Sequence, residues 1–479
     1  IRSLLAHHCN SSGHCAHTHL QARCRLRFFP LAHQDLHVLS WFTPYVKVWM
    51  VVSAAEAFTI VILATRIVRG LVHPPTPKHL LLMVSLLLLF APATGFAFFQ
   101  LIYAERMLTL CFVAFAFFYL HYQSTGGRQA WCFSLLFALV GMFFKDIAVL
   151  LFVTPAAFTL MTGAAGLMDR YPAFPAHNLT VKRLRNWMGA YSLELWLMSL
   201  MVVFALAYTY LSYLPSLYHG KEAYGSDDGF RFIGDLRSWI LFIFIGLRIV
   251  LISCKRSSAN LLDGLNAAAL TYMGALYAVM GYEGTSYMSL PVQLVTVLDL
   301  SFAWCAWITP TLSRRIQSPM ALSAAAIVTS SGLLGLEHFQ EDGFIERVSA
   351  VKAKQHSWLT TFNKIDDLTV KAKRRGEEVN LVFTKSWFRR KRHIDRFKVD
   401  RLIFLDPSTM TYTTVAGIGR GETYTPKAGD FLMDIDKGNL KFLGDELDRY
   451  ELVYRYSRHR GNGRIYRFRG PSDSAKASE

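Results

Sequence analysis

The sequence predicts a polytopic α-helical membrane protein that carries a separate polar domain at its carboxyl end. Three observations point there. Of 479 residues, 52% are hydrophobic and 18% charged, against about 25% charged in ordinary soluble domains. Ten apolar runs approach or reach the length needed to cross a bilayer as helices. The charge is uneven, sparse through the first two thirds and dense in Lys and Arg after that. These features exclude a disordered chain, a collagen, a coiled coil and a small disulfide scaffold.

The runs cover 46–68, 78–101, 107–122, 130–144, 147–163, 190–213, 238–253, 264–281, 288–309 and 318–336. The two short runs, 130–144 and 147–163, read as two spans or as one broken unit around Phe144-Lys145-Asp146. No period-2 alternation runs through any of them, which disfavours a transmembrane barrel. The loops sort by charge. One alternate set holds Arg66, Arg69 and Lys78; Arg128; Arg170, Lys182, Arg183 and Arg185; Lys255 and Arg256; Arg314 and Arg315. The other set holds Asp35; Glu105 and Arg106; Lys145 and Asp146; Lys221, Glu222, Asp227 and Asp228; Glu283. Basic loops stay cytoplasmic, so the second set is assigned to the outer side. Segment 1–45 and the carboxyl-terminal domain then also fall outside. Residues 1–30 lack the apolar core of a signal peptide. One further span ahead of Ile1 is therefore expected, in addition to the ten visible ones.

The expected organisation is an outer-side segment 1–45, a transmembrane body 46–336, an extracytoplasmic domain 337–470 and a disordered tail 471–479. The polar domain reads as one helix over about 345–376, followed by strands near 379–384, 401–406, 410–415, 430–435, 451–456 and 464–468. Gly461-Asn462-Gly463 is a hairpin turn signal between the last two. This is an α/β or α+β pattern. From residue 337 onward there are 28 Lys and Arg against 21 Asp and Glu. The basic residues cluster at Arg389-Arg390-Lys391-Arg392 and between Arg455 and Arg469. The net charge of +17 and pI near 9.6 fit anionic lipid or a phosphorylated substrate. Nucleic acid is excluded as a partner for want of a zinc-finger spacing, an RNP motif or a basic heptad array.

Charged groups beside apolar segments are costly and usually have a task. Glu105 and Arg106 lie in a tight outer turn, as do Lys145 and Asp146. Asp35, flanked by His33 and His37, precedes an amphipathic stretch over 36–45 that fits the membrane interface. One reaction uses all of these. A sugar on a polyprenyl phosphate or diphosphate is attacked at its anomeric carbon while the phosphate leaves. Asp35 or Glu105 supplies the general base. Arg106 and Lys145 stabilise the charge developing on the phosphate. His33, His37, Asp146 and Glu283 are further substrate-binding candidates.

This arrangement resembles the GT-C superfamily of polytopic membrane glycosyltransferases, which use lipid-linked donors. Asp35 stands at the position of that family's first-loop acid once a preceding span is counted. Ala104-Glu105-Arg106 occupies the second outer loop, and Glu283, in Gly281-Tyr282-Glu283-Gly284, the fifth. The resemblance covers the topology of residues 30–340. It implies a polyprenyl-phosphate-linked sugar donor, a glycan, lipid or protein acceptor of the cell envelope, and an extracytoplasmic carboxyl-terminal domain. The first-loop motif is a single Asp without a DxD or Asp-Glu pair, which counts against metal dependence. A divalent metal ion is the one cofactor left open, and no metal ligands are assigned. No WWD motif follows, which disfavours peptide N-glycosylation.

The remaining motifs have plain structural readings. Asp227-Asp228 fits a solvated turn. The His and Cys residues between His7 and Cys24 match no zinc-finger spacing. The seven Cys are odd in number and give no disulfide framework. Two other functions compete with glycosyl transfer. A transporter or flippase is expected to show internal repeats and mid-span charges. A non-catalytic membrane subunit would use its basic outer domain to dock a partner.

Overall fold

The computed structural model describes residues 28–72, 77–175, 180–215, 235–280, 287–339, 343–384, 399–407, 409–435, 440–456 and 462–470. The chain divides into two compact units between Gly335 and Leu336.

The first unit is helical. Its elements are α1 (Gln34–Phe42), α2 (Val46–Leu71), α3 (Leu80–Leu89), α4 (Pro92–Ala97), α5 (Glu105–Thr125), α6 (Arg128–Met142), α7 (Val149–Ala164), α8 (Val181–Ala190), α9 (Ser192–Tyr208), α10 (Leu236–Ser253), α11 (Leu261–Met280), α12 (Leu290–Ala303), α13 (Thr309–Ser313) and α14 (Pro319–Phe339). A π-helical turn, Thr209–Tyr213, extends α9, and another, Trp304–Ile308, joins α12 to α13. Among the described residues, six helical stretches are long and apolar enough to cross a membrane: Val46–Leu71, Glu105–Thr125, Ser192–Tyr213, Leu236–Ser253, Tyr287–Ser313 and Pro319–Phe339. Three shorter apolar helices, Leu80–Leu89, Arg128–Met142 and Val149–Ala164, accompany them.

The run over 78–101 is not one helix. It breaks after Phe90, where Ala91 is extended (ψ 144°) and Pro92 opens α4. The proline ring disfavours the helical region for the residue before it, and Ala91 takes the extended alternative. The runs 130–144 and 147–163 form two separate helices, α6 and α7, joined by a tight turn that holds Lys145 and Asp146.

The stretch Tyr287–Ser313 is the axis of this unit. It has 67% of its most apolar window buried, against 11% for Pro319–Phe339. Around it, Val61, Ala64, Phe112, Phe115, Phe152 and Leu262 form a continuous apolar core. Large apolar side chains also point outward, among them Val202, Leu206, Ile243 and Val328. In water such an exposed surface would be a liability; a bilayer is the solvent that suits it.

The second unit places α15 (Phe344–Arg374) against a six-stranded sheet. Its strands are β1 (Asn380–Phe383), β2 (Arg401–Leu405), β3 (Tyr412–Gly417), β4 (Phe431–Asp434), β5 (Tyr450–Arg455) and β6 (Arg464–Phe468). The order is β3-β2-β1-β4-β6-β5. β1 runs parallel to β2 and β4, and the outer pairs are antiparallel. β1 is buried on both faces, as a parallel central strand must be. Leu381 and Phe383 meet Ile365 and Ala372 of the helix, while Val382 joins Ile403, Leu432 and Leu443 on the opposite face. Helix and strands match the periodicities of the sequence. The Arg389–Arg392 cluster lies outside the described residues, as does Gly461 of the turn signal.

Asp400 ties the helix to the sheet. Its carboxylate accepts from the Val379 amide at 2.9 Å and from Lys373 Nζ at 3.0 Å. Partial burial pushes its pKa up, but these two hydrogen bonds and the Lys373 charge outweigh that and hold it below the ordinary value. Across the ladder, Gly417 has φ +96°, and a Cβ there would collide with the Asp400 carbonyl.

Two predictions follow from Asp400 and Gly417. A carboxyl with a depressed folded pKa contributes stability above its unfolded pKa of about 3.9 and loses it as pH falls through the folded value. The second unit of the wild type should therefore weaken more steeply on acidification than that of Asp400→Asn, read by thermal unfolding across acidic pH. Gly417→Ala should destabilise the sheet by about 1–3 kcal/mol through backbone strain and the clash, visible as a lower unfolding temperature.

Candidate functional site

The chain enters the described region at Phe28, buried in edge-on contact with Phe143, Phe204 and Tyr208. The Leu31 amide donates to the Phe143 carbonyl at 3.2 Å, fastening this segment to the α6–α7 turn. His33 then adopts a left-handed conformation (φ 66°) and starts α1. Asp35 lies in the first turn of α1. Trp41, Phe42 and Tyr45 are 70%, 80% and 71% exposed, as expected for an interfacial helix end.

Glu105 and Arg106 begin α5, and both are buried. They do not pair with each other, because consecutive residues on a helix point in different directions. Arg106 Nη2 donates to Asp35 Oδ2 at 2.6 Å and to the Leu101 carbonyl at 3.2 Å. Its Nη1 donates to Glu56 Oε2 at 2.8 Å. Glu105 Oε1 instead accepts from Lys145 Nζ at 2.9 Å. Asp146, next to Lys145, accepts the Ile147 amide at 3.1 Å. The buried Tyr272 hydroxyl lies within electrostatic reach of Glu105 and Asp146. Nearby, Tyr287 stacks on Tyr103 with centroids 3.7 Å apart.

The fold thus joins Asp35, Arg106, Glu105 and Lys145, drawn from α1, α5 and the α6–α7 turn. His33 and His37 are exposed, and among the described residues neither imidazole bonds to the cluster; His37 packs edge-on against Trp41. Glu283 lies outside the described residues, as do Asp227 and Asp228. Glu56 is the member that loop charges do not reveal. It sits ten residues into α2, about 15 Å along the helix. Its signal is an ionisable residue inside an apolar run, the same cost argument applied to a span instead of a loop.

With Glu56 included, three carboxylates are ion-paired with the two cations. Asp35 is the most accessible of the ion-paired acids, its side chain 13% exposed against 9% for Glu56 and 7% for Glu105. Its Oδ1 makes no hydrogen bond among the described residues. Arg106 Nε is buried without a partner among them, a donor that costs about 1–3 kcal/mol when left unmet. Lys145 has three N–H donors, one of them given to Glu105. Among the described residues, no group of three or more His, Cys, Asp or Glu could hold a metal ion.

Other buried polar groups stand apart from this cluster. Arg248 of α10 grips Asp263 of α11 with Nε and Nη2 at 2.7 and 2.6 Å. Asn266 bonds Asp299 of α12 at 2.8 Å. Glu194 Oε1 accepts from Tyr119 at 2.8 Å and Tyr171 at 2.6 Å. Burial, reinforced by the Glu194 charge, raises the Tyr171 pKa well above the ordinary phenol value. This keeps Tyr171 a donor at any physiological pH.

No family model matches this chain, and no curated protein matches it.

Removing one partner of a buried ion pair strands the other charge and costs about 3–5 kcal/mol. Arg106→Met should therefore lower the unfolding temperature of the detergent-solubilised protein sharply. Neutralising an acid in the same chain, as Glu56→Gln with Arg106→Met, should restore part of the loss. Equal unfolding temperatures for wild type and Arg106→Met would contradict the pairing.

Proposed function

We propose that the protein is a membrane glycosyltransferase that transfers a sugar from a polyprenyl-phosphate or -diphosphate donor to a cell-envelope acceptor on the outer side of the membrane. The single observation that carries this reading is that Asp35 and Lys145, 110 residues apart in sequence, are both ion-paired to the first turn of α5, through Arg106 and Glu105. The GT-C-like topology of about ten visible spans, with a carboxyl-terminal extracytoplasmic domain, belongs to the same proposal. The six long apolar helices support it in part.

The chemistry assigns each group a task. Asp35 is the base, since it is the most open of the ion-paired acids and keeps one oxygen free. It takes the proton from the acceptor hydroxyl as that oxygen bonds to the anomeric carbon. The bond from that carbon to the phosphate oxygen breaks, and its electron pair leaves with the polyprenyl phosphate. Lys145 meets the developing charge with its unspent donors. Arg106 is largely committed to Asp35 and Glu56, so its main role is positioning Asp35; its Nε is the donor that remains for the phosphate. Glu105 holds Lys145 in place.

A non-catalytic membrane subunit is the second reading. The observation that favours it is the extent of internal pairing: both cations of the cluster already have carboxylate partners.

The test is sugar transfer by the purified, reconstituted protein from labelled polyprenyl-phosphate sugars. Asp35→Asn should reduce transfer by about 10²–10⁴-fold, the usual worth of a general base, and should lower the unfolding temperature less than Arg106→Met does, because Arg106 keeps the Glu56 carboxylate. Near wild-type transfer by both Asp35→Asn and Glu105→Gln would remove the residue assignment. A wild type inactive with every donor, yet isolated in a stable assembly, would favour the subunit.

A further inference from the structure

The first unit contains a second chemically distinctive place, away from the ion-pair cluster. A cavity of about 980 Å³ opens where the far end of α2, the start of α3, the α10–α11 loop, α13 and the start of α14 come together. Leu71 of α2 lines it, and Glu56 of the same helix belongs to the cluster. Fifteen residues of helix put the two about 22 Å apart along α2.

The lining has two chemistries. Leu71, Phe302, Trp307 and Leu322 supply an apolar wall. Lys78, Ser257 and Ser313 supply polar groups, and each stands in a loop or at a helix end. The polar side of the cavity therefore faces the loop end of the bundle. Ser257 follows Lys255 and Arg256 in sequence, and Ser313 precedes Arg314 and Arg315. These four residues and Lys78 are exposed, and among the described residues none makes an ion pair. By the charge asymmetry of the loops, they belong to the cytoplasmic set.

Other polar residues of the lining, Arg248, His79 and Ser323, are committed to neighbouring groups and act as scaffold. Arg248 holds Asp263, the Ser257 hydroxyl at 2.7 Å and the Ser258 carbonyl at 3.0 Å, which fixes the loop carrying Ser257. Trp304 donates to His79 Nε2 at 2.8 Å, and His79 Nδ1 faces the Ser323 hydroxyl at 3.2 Å, which fixes the start of α3 against α12 and α14. The cavity walls are thus preorganised, while Lys78 of the lining, and Arg314 and Arg315 next to Ser313 in the chain, are uncommitted.

We propose that this cavity binds an anionic phospholipid of the cytoplasmic leaflet, with its phosphate at Lys78, Arg314 and Arg315 and its acyl chains against the Phe302–Trp307 wall. The volume suits a headgroup and the upper part of the chains, at the top of the range of ordinary ligand pockets. Unpaired Lys and Arg beside an apolar wall between transmembrane helices match the charge and the amphipathic shape of such a lipid. A free phosphate would leave the apolar wall unused, and a neutral lipid would leave the cations unused. This inference is independent of glycosyl transfer, because it concerns the other end of the bundle.

The test uses the full-length protein in nanodiscs of phosphatidylcholine with and without phosphatidylglycerol. Lipid retained after detergent exchange is read by mass spectrometry, and unfolding temperature is read alongside. Phosphatidylglycerol should be retained over phosphatidylcholine by roughly tenfold or more and should raise the unfolding temperature. Two variants separate charge from cavity. The triple change Lys78→Gln, Arg314→Gln, Arg315→Gln removes the headgroup contacts, and Ala306→Phe fills the cavity lining while leaving the charges in place. Each should abolish the preference while unfolding near the wild-type temperature in phosphatidylcholine alone; should Ala306→Phe fail to fold, the triple variant still decides. Equal retention of both lipids by the wild type would overturn the proposal. So would a preference kept by the triple variant, a preference kept by folded Ala306→Phe, or displacement by inorganic phosphate alone.

Discussion

A guanidinium held in an apolar bundle is the constraint around which the first unit is arranged. Arg106 is 2% exposed, and a charge so placed is tolerable only with partners of opposite sign and good geometry. It finds them on two different segments, Asp35 of α1 and Glu56 of α2. That requirement fixes where the amino-terminal segment must lie. It also accounts for the left-handed His33 and for the bond between Leu31 and Phe143, which together deliver Asp35 to the guanidinium.

Glu105 illustrates the same economy one residue away. The 100° turn between neighbours on a helix sends its carboxylate to the α6–α7 turn, where it meets Lys145. Two adjacent ionised residues therefore clamp three different parts of the chain to the start of α5. The internal pairing also divides labour within the cluster. Groups whose hydrogen bonds are already used, chiefly Arg106, set geometry, and groups with donors or oxygens to spare, Lys145 and Asp35, remain for a ligand.

The bundle repeats this device elsewhere. Arg248 with Asp263, Asn266 with Asp299, and Glu194 with two tyrosines each place buried polar groups between helices. In a lipid environment such links replace part of the hydrophobic drive that holds soluble helices together. The second unit is stabilised in the ordinary way, by a sheet buried on both faces between α15 and the short helical segment Lys441–Arg449.

What the sequence determined by itself is the local and periodic part. Apolar runs mark most helices of the first unit, though not the polar α8, and apolar, β-branched and aromatic stretches between turn residues mark all six strands of the second, because these patterns depend only on residues near one another. Charge beside apolar runs also marked Asp35, Glu105, Arg106 and Lys145 as costly and therefore purposeful. Tertiary structure alone decided their partners. Arg106 pairs with Glu56 from inside a span and not with its neighbour Glu105, and the exposed His33 and His37 stay out of the cluster. The break at Ala91 inside the run 78–101 and the parallel pairing of β1 with both β2 and β4 were likewise decided by the tertiary structure. Pairing between distant residues is set by how the helices and strands close on one another, and no local pattern encodes that closure.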